Sequence, residues 1–379
     1  MQYITTPEQE QFRQTIRKLA EEKVAPRSAE IDRTGECPWD IFELFKANDL
    51  FGLAMPKECG GVDADMITLC IFCEEMSRVD AGCSNIVQSS WLAAEPILIA
   101  GSPEQKKKYL TPLARGDGMF AFGLTERNAG SDVSSMESTA RLQGDKYILN
   151  GSKCFITNGS VSTIYSIFAK TDPDRGVRGI SAFIVPRETP GFSIGKVEDK
   201  LGIRGSQVAE LIFEDCPISK ENLLGEEGRG FYYAMMTLDR TRPHVAAQAV
   251  GIAQGALDYV VKYAKERVQF KTPIASLQAI QFMLADMAIQ IEAARAMVYR
   301  SASAIDNKVL NASHLSAIAK TFASDTAMRV TTDAVQIMGG YGYMKEQPVE
   351  RMMRDAKITQ IYEGTNQIQR VVISRALLA

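Results

Sequence analysis

The stretch Arg354-Asp355-Ala356-Lys357-Ile358-Thr359-Gln360-Ile361-Tyr362-Glu363-Gly364-Thr365-Asn366-Gln367-Ile368-Gln369-Arg370 decides how the chain is read. An apolar run and a polar run, both with helical periodicity, meet at a carboxylate followed directly by glycine. Glycine breaks the pattern where helix would otherwise continue, so Glu363 is placed at a bend. Such a bend can push a carboxylate out of a helical wall and into a pocket. There, burial and neighbouring charges can tune its pKa for work as a base. The alternative is a surface Glu beside a helix-breaking Gly, because so short a pattern is weak by itself. The wider chain has to decide.

At 379 residues the chain exceeds one ordinary domain, and two or three are expected. With 45% apolar and 23% charged residues it reads as a globular protein with ample core. A formal net charge of -3 leaves no global basic field, which argues against nucleic acid as the main partner. No apolar run reaches membrane-spanning length, and Met1 leads quickly into a polar helix rather than a signal sequence. The seven cysteines, an odd and scattered set, suggest reduced thiols and a cytoplasmic setting. Cys70 and Cys73 form a C-x-x-C, but Ile67, Leu69, Ile71 and Phe72 around them favour a buried helix. With only His244 and His314, a metal site is not expected.

Thr6-Pro7-Glu8-Gln9 has the form of a capped helix start, and Pro26 is expected to stop that helix. Further helices are expected over Trp39–Leu50, Met66–Val79, Asn85–Gly101 and from Glu104 to about Arg115. From Phe120 to about Phe213, β-branched and aromatic runs alternate with Gly, Asp and Asn turns. Strands are expected around Tyr147–Gly151, Ile164–Ala169, Ile180–Val185 and Ala209–Phe213. Helix then returns over Tyr232–Ala264, Leu277–Ile305 and Ala312–Met338. Within the first of these, Asp239-Arg240-Thr241-Arg242-Pro243 reads as a helix start, with Pro243 near the first turn. The chain thus divides into a helical domain (1–118), a β-domain (119–227) and a second helical domain (228–379).

Leu124-Thr125-Glu126-Arg127-Asn128-Ala129-Gly130-Ser131-Asp132 opens the β region. It offers hydroxyls and closely approachable backbone N–H groups, although an ordinary Gly-Asp turn would look the same. Phe155-Ile156-Thr157-Asn158-Gly159 lies beyond it. No Gly-x-Gly-x-x-Gly stands between a strand and a helix, so a Rossmann site is not indicated. Gln336-Ile337-Met338-Gly339-Gly340-Tyr341-Gly342-Tyr343 reads by itself as a helix-stop turn. Taken with Tyr362-Glu363-Gly364-Thr365, these segments resemble, in order and over nearly the whole chain, the flavin-dependent acyl-CoA dehydrogenases. The short- and medium-chain enzymes are nearest in pattern.

The resemblance implies an α+β fold with an all-α N-terminal domain, a β-barrel-like middle domain and a C-terminal four-helix bundle, with FAD where they meet. It implies Glu363 as the catalytic base. Thr125, Ser131, Phe155 and Thr157 become flavin contacts, Phe155 against the ring and Thr157 near N5. Arg267 and Phe270, with Gln336, Gly339 and Gly340, would hold the pyrophosphate and adenosine half of FAD in a neighbouring subunit of a homotetramer. A guanidinium suits a diphosphate because its planar donors match paired oxygens. Thr365 and Gln367 are carried over as further FAD contacts. Acyl-CoA contacts would come from Ser131, Arg242, Tyr362 and Gly364, and from Gln88 and Trp91 on the helix walling the acyl pocket. Isovaleryl-type enzymes carry their base where this chain has Thr241, which agrees with Glu363 in that role. The chain departs from the family pattern at Cys59, at Arg127-Asn128 and at Lys271, where an aromatic, Pro-Gly and Gly are usual.

The reaction so implied is α,β-dehydrogenation of an acyl-CoA to the trans-2-enoyl-CoA. Glu363 takes the α-proton, hydride passes to flavin N5, and an electron-transfer flavoprotein receives the electrons. The thioester oxygen would accept hydrogen bonds from the Glu363 N–H and a flavin ribityl hydroxyl. Cys83 stands where glutaryl-CoA dehydrogenases have an arginine, which disfavours dicarboxylic acyl groups. Short to medium chains are expected, with a branched or cyclic acyl group (cyclohexanecarboxyl-type) if the bulk of Trp91 lines the pocket; the alternative is that Trp91 simply packs between helices. A flavin oxidase and a non-catalytic binding protein on the same fold are the other readings.

Overall fold

The computed structural model describes residues 5–310 and 312–378, so Met1 and the reading of the chain's start lie outside the described residues. Helices α1 (Pro7–Leu19), α2 (Ala25–Thr34), α3 (Trp39–Ala47), α4 (Met66–Ser77), α5 (Ala81–Ala100) and α6 (Pro103–Ala114) come first. The Thr6 box at the start of α1 forms as expected: Thr6 Oγ1 accepts from the Gln9 N–H, and Gln9 Oε1 accepts from the Thr6 N–H.

Pro26, however, does not end the helix. A single π turn at Ala20–Val24 precedes it, and the Ala25 N–H reaches back to the Ala20 carbonyl. This wider turn takes up the place where proline lacks an N–H, and the helix continues to Gly35, whose φ of +70° terminates it.

The middle of the chain is an eight-stranded sheet with pairing path β6-β7-β3-β2-β4-β5-β8, plus β1 on β4. Its strands are β1 (Phe120–Gly123), β2 (Thr139–Gln143), β3 (Lys146–Thr157), β4 (Ile164–Lys170), β5 (Ile180–Pro186), β6 (Phe192–Val197), β7 (Val208–Ser219) and β8 (Leu223–Leu224). One edge of β4 is shared: β1 pairs in parallel along Ile164 to Ile167, and β2 takes Lys170. The sheet therefore splits into two arms. Tyr147, Tyr165, Phe183 and Phe213 fill a core of its own between them.

Helix α7 (Gly230–Glu266), the hairpin β9 (Val268–Gln269) and β10 (Thr272–Pro273), α8 (Gln278–Asp306), α9 (Ala312–Met338), α10 (Pro348–Thr359) and α11 (Asn366–Leu378) complete the chain. Asp239–Pro243 is not a helix start: it lies well inside α7, which runs through Pro243 without a break. Among the described residues no helix is long and apolar enough to cross a membrane.

The N-terminal and C-terminal helices share one continuous core. Charged rivets join all three parts. Arg354 on α10 pairs with Asp32 on α2, and the Ile203 N–H of the β-domain donates to Asp355. Helix α4 packs closely on α7, where a Cβ on Gly251 would stand 2.1 Å from the Glu74 carbonyl oxygen. Only glycine permits that crossing. Gly251→Ala should force the helices apart and cost roughly 1–3 kcal/mol, the usual size of overpacking. An unchanged urea midpoint in the variant would contradict the contact.

Candidate active site

Helix α10 ends on the buried Thr359, whose hydroxyl donates to the Ala356 carbonyl. The Ile361 and Tyr362 N–H groups then close a turn on the Ile358 carbonyl. Next come two left-handed residues, Glu363 (φ +52°) and Gly364 (φ +92°), before α11 begins at Asn366. A non-glycine residue in this region costs about 1–2 kcal/mol, and such strain persists only where the surroundings over-determine it. Here Gln369 Nε2 donates to the carbonyls of both Glu363 and Gly364, at 3.1 and 3.0 Å. A Cβ on Gly364 would lie 2.6 Å from that same nitrogen, so glycine is required after the carboxylate.

The turn puts the Glu363 side chain into a cavity of about 470 Å³. Thr241 Oγ1 of α7 donates to Glu363 Oε2 at 2.7 Å. Burial pushes the Glu363 pKa up to about 7, against the Thr241 hydrogen bond and the positive charges of Arg242 and Lys320. Its remaining accessible surface faces the cavity, so an occupant would desolvate it further. Arg242 is 4% exposed, pairs with Asp239, and leaves its buried Nε without a partner among the described residues, beside the cavity.

The opposite wall comes from the β-domain. Strand β3 loses register with β7 between Lys153 and Ile156, and this bulge turns Phe155 outward. Phe155 stands 66% exposed on a left-handed residue (φ +58°), facing the cavity beside Thr157. An exposed aromatic on strained backbone is unfavourable unless something flat covers it. Thr125 and Ser131 line the same space. These residues fit a planar ring with hydrogen-bonding edges.

The loop is stapled from below. Lys153, fully buried, pairs with Glu126, and the Cys154 N–H donates to the Thr125 carbonyl at 2.9 Å. From the far side, Asn158 Nδ2 donates to the Ile86 carbonyl of α5.

Of the residues expected at the site, Thr125, Ser131, Phe155, Thr157, Gln88, Arg242, Tyr362, Glu363 and Gly364 line this one cavity. Trp91 does not, which corrects the expectation that it lines the acyl wall. Gln88 and Leu92, one helical turn apart, face the cavity, while Trp91 points about 100° round the helix from Leu92. Its indole N–H donates to the Phe51 carbonyl and its ring packs on Phe72 and His244.

A second cleft, away from Glu363, gathers Arg267, Gly339 and Gly340, with the Arg267 guanidinium 5.2 Å from the centre of the Tyr341 ring. Gln336 is exposed on α9 nearby, outside the cleft lining. Phe270 is 89% exposed at the tip of the β9–β10 hairpin, where Phe270 (φ +52°) and Lys271 (φ +65°) form a two-residue turn without glycine. Thr365 accepts from the Ile368 N–H and starts α11, and Gln367 is exposed; neither lines the cavity. Reading the sequence missed Thr241 as the partner of the carboxylate, and it missed Lys153 and Lys320 altogether. A lone lysine in a mixed polar and apolar stretch carries no local signal of burial.

Comparison with known proteins fits this geometry. Residues 6–117, 121–216 and 228–378 match the acyl-CoA dehydrogenase N-terminal, middle and C-terminal domains. A cyclohex-1-ene-1-carbonyl-CoA dehydrogenase of Geobacter metallireducens is 48% identical over 374 residues, 98% of each chain. Among solved structures, butyryl-CoA dehydrogenase from Megasphaera elsdenii is 47% identical with a TM-score of 0.97, covering all of both chains. A structure described as "Electron transferring flavoprotein of Acidaminococcus fermentans: Towards a mechanism of flavin-based electron bifurcation" contains a chain 51% identical, again with a TM-score of 0.97 and full coverage of both. Three consecutive domain matches and full-length relatives at about half identity make the chain a member of the acyl-CoA dehydrogenase family, flavin-bearing oxidoreductases.

Proposed function

We propose that the protein dehydrogenates a short, straight acyl-CoA between its α and β carbons, with Glu363 as the base. The observation that carries this reading is a desolvated carboxylate held in the cavity with a pKa of about 7. A base poised near neutral pH combines a useful ionised fraction with real proton affinity. Thr241 steadies the carboxylate without a charge of its own, and Arg242, lining the same cavity, offers a cation to the anionic part of the thioester carrier. FAD is the cofactor that we assign to the Phe155 wall, where it would supply the two-electron acceptor. Thr125, Thr157 and Ser131 would hold its ring edges, and Phe155 would be covered by its face. Filling the cavity would also exclude water from Glu363.

The acyl group is read as short because a butyryl-CoA dehydrogenase is among the similar structures. Trp91 is packed between helices, so its bulk does not shape the cavity for a cyclic group. Likeness to a cyclohex-1-ene-1-carbonyl-CoA dehydrogenase keeps a cyclic thioester in the test. An electron-transferring flavoprotein is the partner that we infer, supported by the company in which one similar chain was solved. The exposed Phe270, Tyr343, Phe282 and Ile289 would be covered in a homotetramer, with the Arg267 cleft meeting the FAD of a second subunit.

Anaerobic titration of the purified flavoprotein with butyryl-, octanoyl-, isobutyryl- and cyclohexanecarboxyl-CoA tests this directly. Butyryl-CoA should bleach the flavin fastest, and Glu363→Gln should slow bleaching about 10²–10⁴-fold while still binding the thioester. Rapid bleaching in the variant would move the base elsewhere, and rapid reoxidation of the reduced product complex by oxygen would make the enzyme an oxidase.

Protonation also links Glu363 to stability. Its folded pKa lies above the unfolded value of 4.5, so the folded state binds the proton more tightly. The contribution of Glu363 to wild-type stability therefore falls as pH rises from about 4.5 to 7, by up to ~3 kcal/mol. Glu363→Gln escapes that loss, so its Tm should gain on wild type between pH 5 and pH 8. A constant difference would contradict the buried carboxylate.

Arg267→Ala should release FAD on gel filtration without lowering Tm comparably. Full flavin retention would end the cross-subunit role.

A further inference from the structure

Lys320 on α9 is fully buried, and nothing in the reaction described above uses it. Its Nζ donates to the Gly364 carbonyl at 2.8 Å and to Asn366 Oδ1 at 3.0 Å. Asn366 is itself fixed, donating to Ser324 Oγ at 2.9 Å and to Asp325 Oδ1 at 2.7 Å. The left-handed pair Glu363-Gly364 is thus gripped from two sides, by Lys320 on α9 and by Gln369 on α11. Among the described residues no carboxylate oxygen forms an ion pair with Lys320, and both of its hydrogen-bond partners are neutral oxygens. An ammonium buried on neutral partners is costly, and an uncharged donor could make the same two hydrogen bonds more cheaply. The charge therefore calls for an explanation beyond the hydrogen bonds.

The charged and titratable groups that act on Glu363 come from several packed elements. Arg242 of α7 and Lys320 of α9 both favour its ionised form, Thr241 of α7 donates to it, and Cys73 of α4 and Tyr362 feel its field. Asp325 acts on Lys320 from the same helix, and Arg242 opposes its charge. Burial lowers the Lys320 pKa to about 7, against the pull of Glu363. Two opposite groups titrating near one pH behave as a coupled pair.

We propose that Lys320 is a positioning residue for the reaction: it locks the left-handed turn that aims Glu363, and its charge favours the ionised carboxylate. This rests on the reading of Glu363 as base. Loss of the ammonium then has two separable effects. The turn loosens, which lowers the rate at every pH, and Glu363 ionises only at higher pH. A purely architectural lysine would produce the first effect without the second.

The test uses holoenzyme with bound flavin and butyryl-CoA, following the rate of anaerobic flavin reduction from pH 6 to 9. Lys320→Met keeps the stem but removes donors and charge. It should retain flavin, reduce roughly ten- to hundredfold more slowly, and shift the pH midpoint upward by about one pH unit. Lys320→Gln keeps a neutral donor and should recover most of the high-pH rate while keeping the raised midpoint; it carries the test if the Met variant does not fold. Lys320→Arg should return the midpoint toward wild type. An unchanged midpoint in both neutral variants overturns the proposal, as does a rate loss that merely tracks lost flavin. If Glu363→Gln reduces flavin at the wild-type rate, the reading of the base fails instead, and that result is separate from either Lys320 outcome.

Discussion

The structure depends on taking one carboxylate out of water and leaving it, among the described residues, unpaired by any cation within contact distance. Glu363 meets a hydroxyl, Thr241, at 2.7 Å, while Arg242 and Lys320 act on it through space. A direct ion pair would have held the group ionised and weakly basic. Full isolation would have kept it protonated. The observed balance brings its pKa to about 7, where proton abstraction and proton return are both feasible. That balance requires an enclosed cavity, and the remainder of the fold supplies the enclosure.

Three separate parts of the chain contribute walls. The bulged β3 supplies Phe155, α5 supplies Gln88 and Leu92, and α7 supplies Arg242. The turn carrying Glu363 is itself strained, and such strain persists only where the surroundings over-determine it. Hence the close crossing of α4 and α7 at Gly251, the buried Lys153–Glu126 pair under the Thr125 loop, and the links of α10 to Asp32 and Ile203. Each fixes a wall against the turn. Breaking one should alter the site before it unfolds the chain.

Much of this was legible from residue order. The Thr6 capping box, the long amphipathic helices and the Glu363-Gly364 bend follow from local rules of capping, periodicity and glycine conformation. What was illegible depended on three-dimensional company. Pro26 reads as a helix stop, yet a π turn absorbs it. Pro243 reads as a helix start, yet α7 packs against α4, α8 and α9 along its length and carries the proline inside. Trp91 and Leu92 are neighbours in sequence, and only the rotation of α5 about its axis decides which one meets the cavity. Lys320 and Lys153 look like surface lysines, because their burial is set by partners more than 25 residues away.

Abstraction of an α-proton by Glu363 is the central step proposed, and it can be watched apart from electron transfer. Acetyl-CoA carries α-hydrogens but no β-carbon, so the holoenzyme can exchange those hydrogens with deuterium oxide without any oxidation. If Glu363 is the base, exchange rises through about pH 7 in wild type and falls to the uncatalysed rate in Glu363→Gln. Exchange at the wild-type rate in that variant would contradict it.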